Sequence, residues 1–140
     1  MRSFLTGTYP AHLQSCAPMV LRVVVGIVFA LHGYQKLQTG IPGVSGFLAG
    51  LGFPMPELFA VLLIAAELGG GILLILGLFT YWNTRILGIV AIVALLTVHA
   101  TNGFFISDGG YEYILLILAA TISLMITGPG KWSLDKMLWK

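Results

Sequence analysis

Leu58 to Leu78 forms an apolar run that carries a single charge, Glu67, near its centre. About 20 such residues cross a hydrocarbon core of about 30 Å. An ionised side chain at that depth costs about 3 kcal/mol on insertion scales, so it faces other helices, pairs, or is held neutral. The chain therefore reads as a polytopic membrane protein with a polar interior. Its 140 residues are 58% hydrophobic and 9% charged, and the mean hydropathy is +0.98. No soluble domain of this size could bury that composition.

Four apolar stretches have the length of membrane spans: Pro18 to Leu37, Pro56 to Leu78, Trp82 to Thr101 and Tyr111 to Ile126. Breakers fall between them at Pro42-Gly43, Pro54 and Pro56, Asp108-Gly109-Gly110, and Gly128-Pro129-Gly130. The reading is all-α, a four-transmembrane-helix bundle in a single domain over residues 1–140. The fourth stretch is shortest, and it could begin earlier or sit in protein.

Short cytoplasmic loops carry the excess of Lys and Arg. Arg2, Arg85, Lys131, Lys136 and Lys140 lie on one side of such a bundle, whereas the stretches Gln38 to Met55 and Asn102 to Gly110 have no basic residue. Both termini are thus predicted to be cytoplasmic. The net charge of +2 reflects this asymmetry, and so few scattered basic residues make no track for nucleic acid. An uninterrupted apolar segment before a cleavage site is missing near the start, so the first span is expected to be retained. Leu13-Gln14-Ser15-Cys16 likewise lacks the apolar segment a lipoprotein box requires. Cys16 is the only cysteine, which excludes an intrachain disulfide or a redox-active cysteine pair.

Chemistry should follow the polar residues within the spans. His32 and Lys36 are one helical turn apart, and Arg22 lies about 40° from the direction of Lys36, giving a polar stripe on the first helix. Glu67 sits about eleven residues into the second span, near the bilayer midplane. Its packing role would be a pair with another helix, most simply with Arg22. Its functional role would be to pass protons or hydrogen-bond a polar ligand, since desolvation disfavours the charged form of a carboxyl.

With alternating helix directions, His32, Lys36, His99, Asn102, Tyr111, Glu112 and Tyr113 all reach one leaflet. They could hold an anion or the carbonyl oxygens of a quinone, or they could anchor at the interface; anchoring suits Tyr111 and Tyr113 best. No paired-histidine or other close spacing supports a metal site, and no glycine-rich strand-to-helix loop supports a nucleotide site. Ala65 with Gly69, and Ala66 with Gly70, have the small-xxx-small spacing of a close helix contact or a homo-oligomer seam. Val44, Phe47, Leu48 and Leu51 recur at helical spacing, predicting a short amphipathic helix in the first outer loop that caps a pocket.

An ordered set of segments resembles one family. These are Leu21-Arg22-Val23 through Leu31-His32-Gly33-Tyr34-Gln35-Lys36-Leu37, then Gly50-Leu51-Gly52-Phe53-Pro54, then Ala66-Glu67-Leu68 through Leu76-Gly77-Leu78-Phe79-Thr80, and finally Gly128-Pro129-Gly130-Lys131-Trp132-Ser133-Leu134-Asp135. Together they are similar to the DoxX family of small prokaryotic inner-membrane proteins, over nearly the whole chain. The resemblance implies a four-helix bundle in a bacterial or archaeal cytoplasmic membrane. Relatives include the membrane subunit of an archaeal thiosulfate:quinone oxidoreductase and proteins linked to oxidative-stress and sulfur-handling partners. Its implied polar positions here are Arg22, Lys36, Glu67, His99 and Glu112.

Two functional readings follow. In the first, the bundle is a membrane subunit of a quinone-linked oxidoreductase, with Glu67, His32 and His99 handling protons and Arg22, Lys36, Asn102 and Glu112 binding ligand. The sequence carries no haem, flavin or iron–sulfur ligand pattern, so electrons would come from a soluble or membrane redox partner or from the substrate itself. In the second, the chain is a non-enzymatic docking subunit or a small solute or ion transporter, although no internal duplication supports transport. The tail, with Trp132, Trp139 and three lysines, suits headgroups or a soluble partner.

Overall fold

A computed structural model describes residues 10–139, and all regular structure among them is helical. Arg2 and Lys140, two of the charges used to orient the chain, lie outside the described residues. After a single turn, Ala11–Gln14, the chain enters α1 (Cys16–Gly50). It then forms α2 (Pro56–Leu76), α3 (Thr80–Asn102), α4 (Glu112–Thr127) and a short α5 (Leu134–Leu138). The first three are long and apolar enough to cross a membrane; α4 has 16 residues, about 24 Å at 1.5 Å per residue.

The predicted boundaries shift where backbone chemistry differs from the breaker pattern. Pro42 does not end α1. The break is at Gly40, whose φ of 80° and ψ of 155° are non-helical, and Pro42 falls in the first turn of the helical stretch that follows, where a missing N–H costs nothing. Val44 and Leu48 of that stretch pack on Ala60 and Ile64 at the start of α2, under Phe53 and Phe59. At the other end of α2, Gly77 takes a left-handed φ of 67°, and the Leu78 amide donates to the Leu73 carbonyl (3.0 Å), closing the helix.

One apolar cluster joins all four long helices: Val25 and Phe29 of α1, Leu74 of α2, Leu87 and Ala91 of α3, and Ile117 and Leu124 of α4. Outward-facing residues remain apolar, among them Leu31, Ile89, Leu96 and Leu116, each more than 60% exposed. Such a perimeter needs lipid as its solvent.

The tail folds back across one end of the bundle. Arg22 is fully buried there, and its guanidinium donates to the Ile75 carbonyl (2.9 Å) and the Trp132 carbonyl (3.0 Å), with longer contacts to Leu74 and Lys131. A Cβ on Gly77 would collide with the Arg22 guanidinium, so glycine is required there for space as well as for φ. Asp135 accepts from the Phe79 and Thr80 amides (2.7 and 2.8 Å), capping the first turn of α3, while its own amide donates to the Gly77 carbonyl. The Gly-Pro-Gly-Lys-Trp-Ser-Leu-Asp segment is thus a latch that ties off helix ends.

Candidate functional site

Three glycines set the distance between α1 and α2. A Cβ on Gly33 would strike the Leu68 backbone, one on Gly71 would strike the Ala30 backbone, and one on Gly26 would meet the Gly71 carbonyl at 2.8 Å. Backbone-to-backbone contact of this kind fixes the vertical register of the two helices. The predicted seam at Ala65 and Gly69 is not where it forms: Gly69 faces open space, and Gly70 faces Asn83 and Leu87 of α3. The smallest faces of α2 therefore point to two different neighbours.

That register places Lys36 beside Glu67, with Nζ 2.5 Å from Oε2. The Glu67 side chain is 8% exposed and that of Lys36 27%. The expected pairing of Glu67 with Arg22 is therefore corrected. Arg22 precedes Lys36 by 14 residues on the same helix, a rise of about 21 Å, and both of its terminal guanidinium nitrogens donate to carbonyls at the tail end. A buried carboxylate and a partly exposed ammonium in contact form a unit of zero net charge, which lowers the cost of holding both in an apolar bundle.

Glu67 also lies in an irregular piece of helix. Residues Ala65–Gly69 form a π turn within α2, and Leu95–His99 form a second within α3. Single π turns rotate the side chains that follow and recur at functional sites. Just beyond the first, the Asn83 amide donates to the Gly70 carbonyl (2.5 Å), tying α3 to α2.

Both π turns border one cavity of about 830 Å³ between the four long helices. Its walls are mostly aliphatic and aromatic, including Val28, Phe29, Ala66, Val90, Ala94 and Ile117. At the loop end it is bounded by Phe47, Leu51 and Phe53 from the stretch after Gly40. The polar side chains that reach it are His32, Lys36, Glu67, Thr97, His99 and Tyr113. A large apolar space with a few convergent polar groups is the usual form of a small-molecule site.

Hydrogen bonds fix several of these groups. His32 Nδ1–H donates to the Val28 carbonyl (2.8 Å), and His99 Nδ1–H donates to the Gly109 carbonyl (2.7 Å). The Thr97 hydroxyl donates to the Val93 carbonyl (2.8 Å). Of the residues singled out in the sequence, His32, Lys36, Glu67 and His99 come together, while Arg22, Asn102 and Glu112 do not border the cavity. Asn102 instead donates to the Val98 and Gly109 carbonyls and shapes the turn after α3. Glu112 opens α4, where a carboxylate suits the helix dipole. Among the described residues, no three His, Cys, Asp or Glu side chains stand close enough to hold a metal ion. Thr97 and Tyr113, the latter expected to anchor at the interface, both line the cavity. The signal for Thr97 is spacing, since Val90, Ala94 and Thr97 share a face of α3.

The DoxX family profile matches residues 17–100, more than half of the chain and all of the segments that carry His32, Lys36, Glu67 and His99. The chain belongs to the DoxX family. It is 35% identical over 126 residues to a Bacillus subtilis protein named "Putative oxidoreductase CatD", a match covering 87% of each chain. It is 30% identical to the Escherichia coli inner membrane protein YphA, over 84% of this chain and 87% of YphA. A third relative, the E. coli inner membrane protein YqjF, is 26% identical over 91% of this chain and 96% of its own length. No solved structure matches the chain with significance. With three helices of spanning length and inner-membrane relatives across most of its length, this DoxX protein is a multi-pass inner-membrane protein.

Proposed function

We propose that this DoxX protein is a four-span membrane subunit, with both termini cytoplasmic, that binds an isoprenoid quinone between its helices and serves a quinone-linked oxidoreductase reaction. The observation that carries this reading is the 830 Å³ apolar cavity whose polar groups include the Lys36–Glu67 pair and two histidines. A quinone has a polar head and a long hydrocarbon tail, and the cavity has both kinds of lining. Lys36 has two N–H groups beyond the one given to Glu67, enough to hold a quinone carbonyl. The aliphatic walls suit the first isoprene units. His32, His99 and Glu67 are the proton-handling groups at the site. Electrons come from a redox partner or from the substrate that the partner binds, and the name of the B. subtilis relative agrees with oxidoreductase chemistry.

The transport alternative has less support. A conducting path has to continue toward the tail end, where Leu74, Leu87 and Leu124 are fully buried and Arg22 closes the helix ends. This arrangement favours a closed-end ligand site. The helical stretch after Gly40 serves as the cap over its loop end.

The test is the amount of quinone extracted per chain from protein purified in mild detergent, for the native sequence, Glu67→Gln and Lys36→Met. Near-stoichiometric quinone in the native protein that falls severalfold in Lys36→Met supports the reading. Background quinone in the native protein overturns it and moves the assignment to docking or transport.

A further inference from the structure

The hydrogen bonds already made inside the cavity decide which groups are left for a ligand. A carbonyl oxygen can only accept, so the 2.8 Å contact to the Val28 carbonyl requires that His32 Nδ1 carry its proton, and the 2.7 Å contact to the Gly109 carbonyl requires the same of His99. In the neutral ring this leaves Nε2 of each histidine as an acceptor. Thr97 has spent its hydroxyl proton on the Val93 carbonyl and keeps lone pairs only. Glu67 has given Oε2 to Lys36 and keeps Oε1. The remaining acceptors are therefore two imidazole nitrogens, a carboxylate oxygen and a hydroxyl oxygen. Against them stand the two remaining N–H groups of Lys36 and the Tyr113 hydroxyl.

From this acceptor-rich lining we infer that the cavity selects the reduced, dihydroxy form of its ligand, the quinol, over the quinone. The inference rests on the quinone reading above and adds the redox state that the site recognises. A quinone brings two carbonyl oxygens, which can accept from Lys36 and Tyr113 but leave the imidazole and carboxylate acceptors unmatched. A quinol brings two O–H donors for those acceptors, and each of its oxygens can still accept from Lys36. Unmatched polar groups facing an apolar cavity are what discriminate between ligands of equal shape. His32 and His99 are the specificity-determining residues, acting through Nε2, while Lys36 contributes to both forms.

The experiment is equilibrium binding of decylubiquinone and, without air and with excess reductant, of decylubiquinol to the purified full-length protein in mild detergent. The native protein should bind the quinol about tenfold more tightly, the worth of one good hydrogen bond to a charged or buried acceptor. For a two-electron couple, this raises the midpoint potential of the bound quinone by about 30 mV. In the His32→Phe/His99→Phe double variant quinol affinity should fall more than quinone affinity, bringing the ratio to near one. A loss of both affinities together would assign the histidines a general structural role and overturn their part in the inference. Equal affinities in the native protein, or tighter quinone, overturn the inference and leave the quinone reading standing. Failure of the native protein to bind either form overturns both.

Discussion

Removing one member of the Lys36–Glu67 pair is a different experiment from removing both. Lys36→Met leaves a carboxylate in an apolar bundle with no cation beside it. Breaking a fully buried pair in this way costs about 3–5 kcal/mol, and the partial exposure of Lys36 brings the expectation to about 1–3 kcal/mol. The Lys36→Met/Glu67→Leu double variant should recover most of that loss, because two apolar side chains of similar volume replace the ions. Thermal unfolding in detergent measures the difference, and a double variant less stable than Lys36→Met would show that the pair itself stabilises the bundle. The carboxylate was legible in the sequence because it interrupts an apolar run. Its partner was not, because Arg22 and Lys36 share a face of α1 and only depth separates them. Depth is set by the Gly33–Leu68 and Gly71–Ala30 contacts, a three-dimensional register that no spacing rule encodes.

Within the elements, glycines divide into those that hold helices together and those that do not. Gly33→Leu and Gly71→Val place side-chain atoms against backbone, so neither variant should accumulate at the native level in membranes. Gly69→Ala, whose Cβ meets nothing within 4 Å, should accumulate normally and gain slightly in stability. Loss of accumulation on Gly69→Ala would argue for a contact with another chain at that face. The latch offers a second test at this scale. Asp135→Asn weakens a charged cap on the Phe79 and Thr80 amides, worth about 1 kcal/mol, and should speed tryptic cleavage at Lys131 and Lys136 severalfold. The small-xxx-small spacing identified α2 as a thin helix but not its seams, since Gly69, Gly70 and Gly71 successively face open space, α3 and α1. Neither π turn was legible, because an added residue per turn leaves the apolar composition unchanged.

For the molecule as a whole, an all-helical chain with three long apolar helices and a shorter one was readable from hydropathy, since lipid requires every backbone group to be bonded within its own segment. The cavity was not readable, because it is bounded by residues from all four long helices and from the stretch beyond Gly40. The proposed orientation, with both termini cytoplasmic, can be checked in a Cys16→Ser background. Ser107→Cys should react with a membrane-impermeant maleimide from outside the membrane, and Lys136→Cys only after permeabilisation. The opposite pattern would invert the bundle. The central claim is that a quinone occupies the space between the helices with its head at Lys36 and Glu67. Photolabelling with a ring-substituted azidoquinone, followed by peptide mapping, tests it most directly. The account predicts labelled residues among Ala65, Ala66, Val90, Ala94 and Thr97, competed away by unlabelled quinone. Labelling confined to the lipid-facing surface or the tail, or labelling that unlabelled quinone does not reduce, would contradict it.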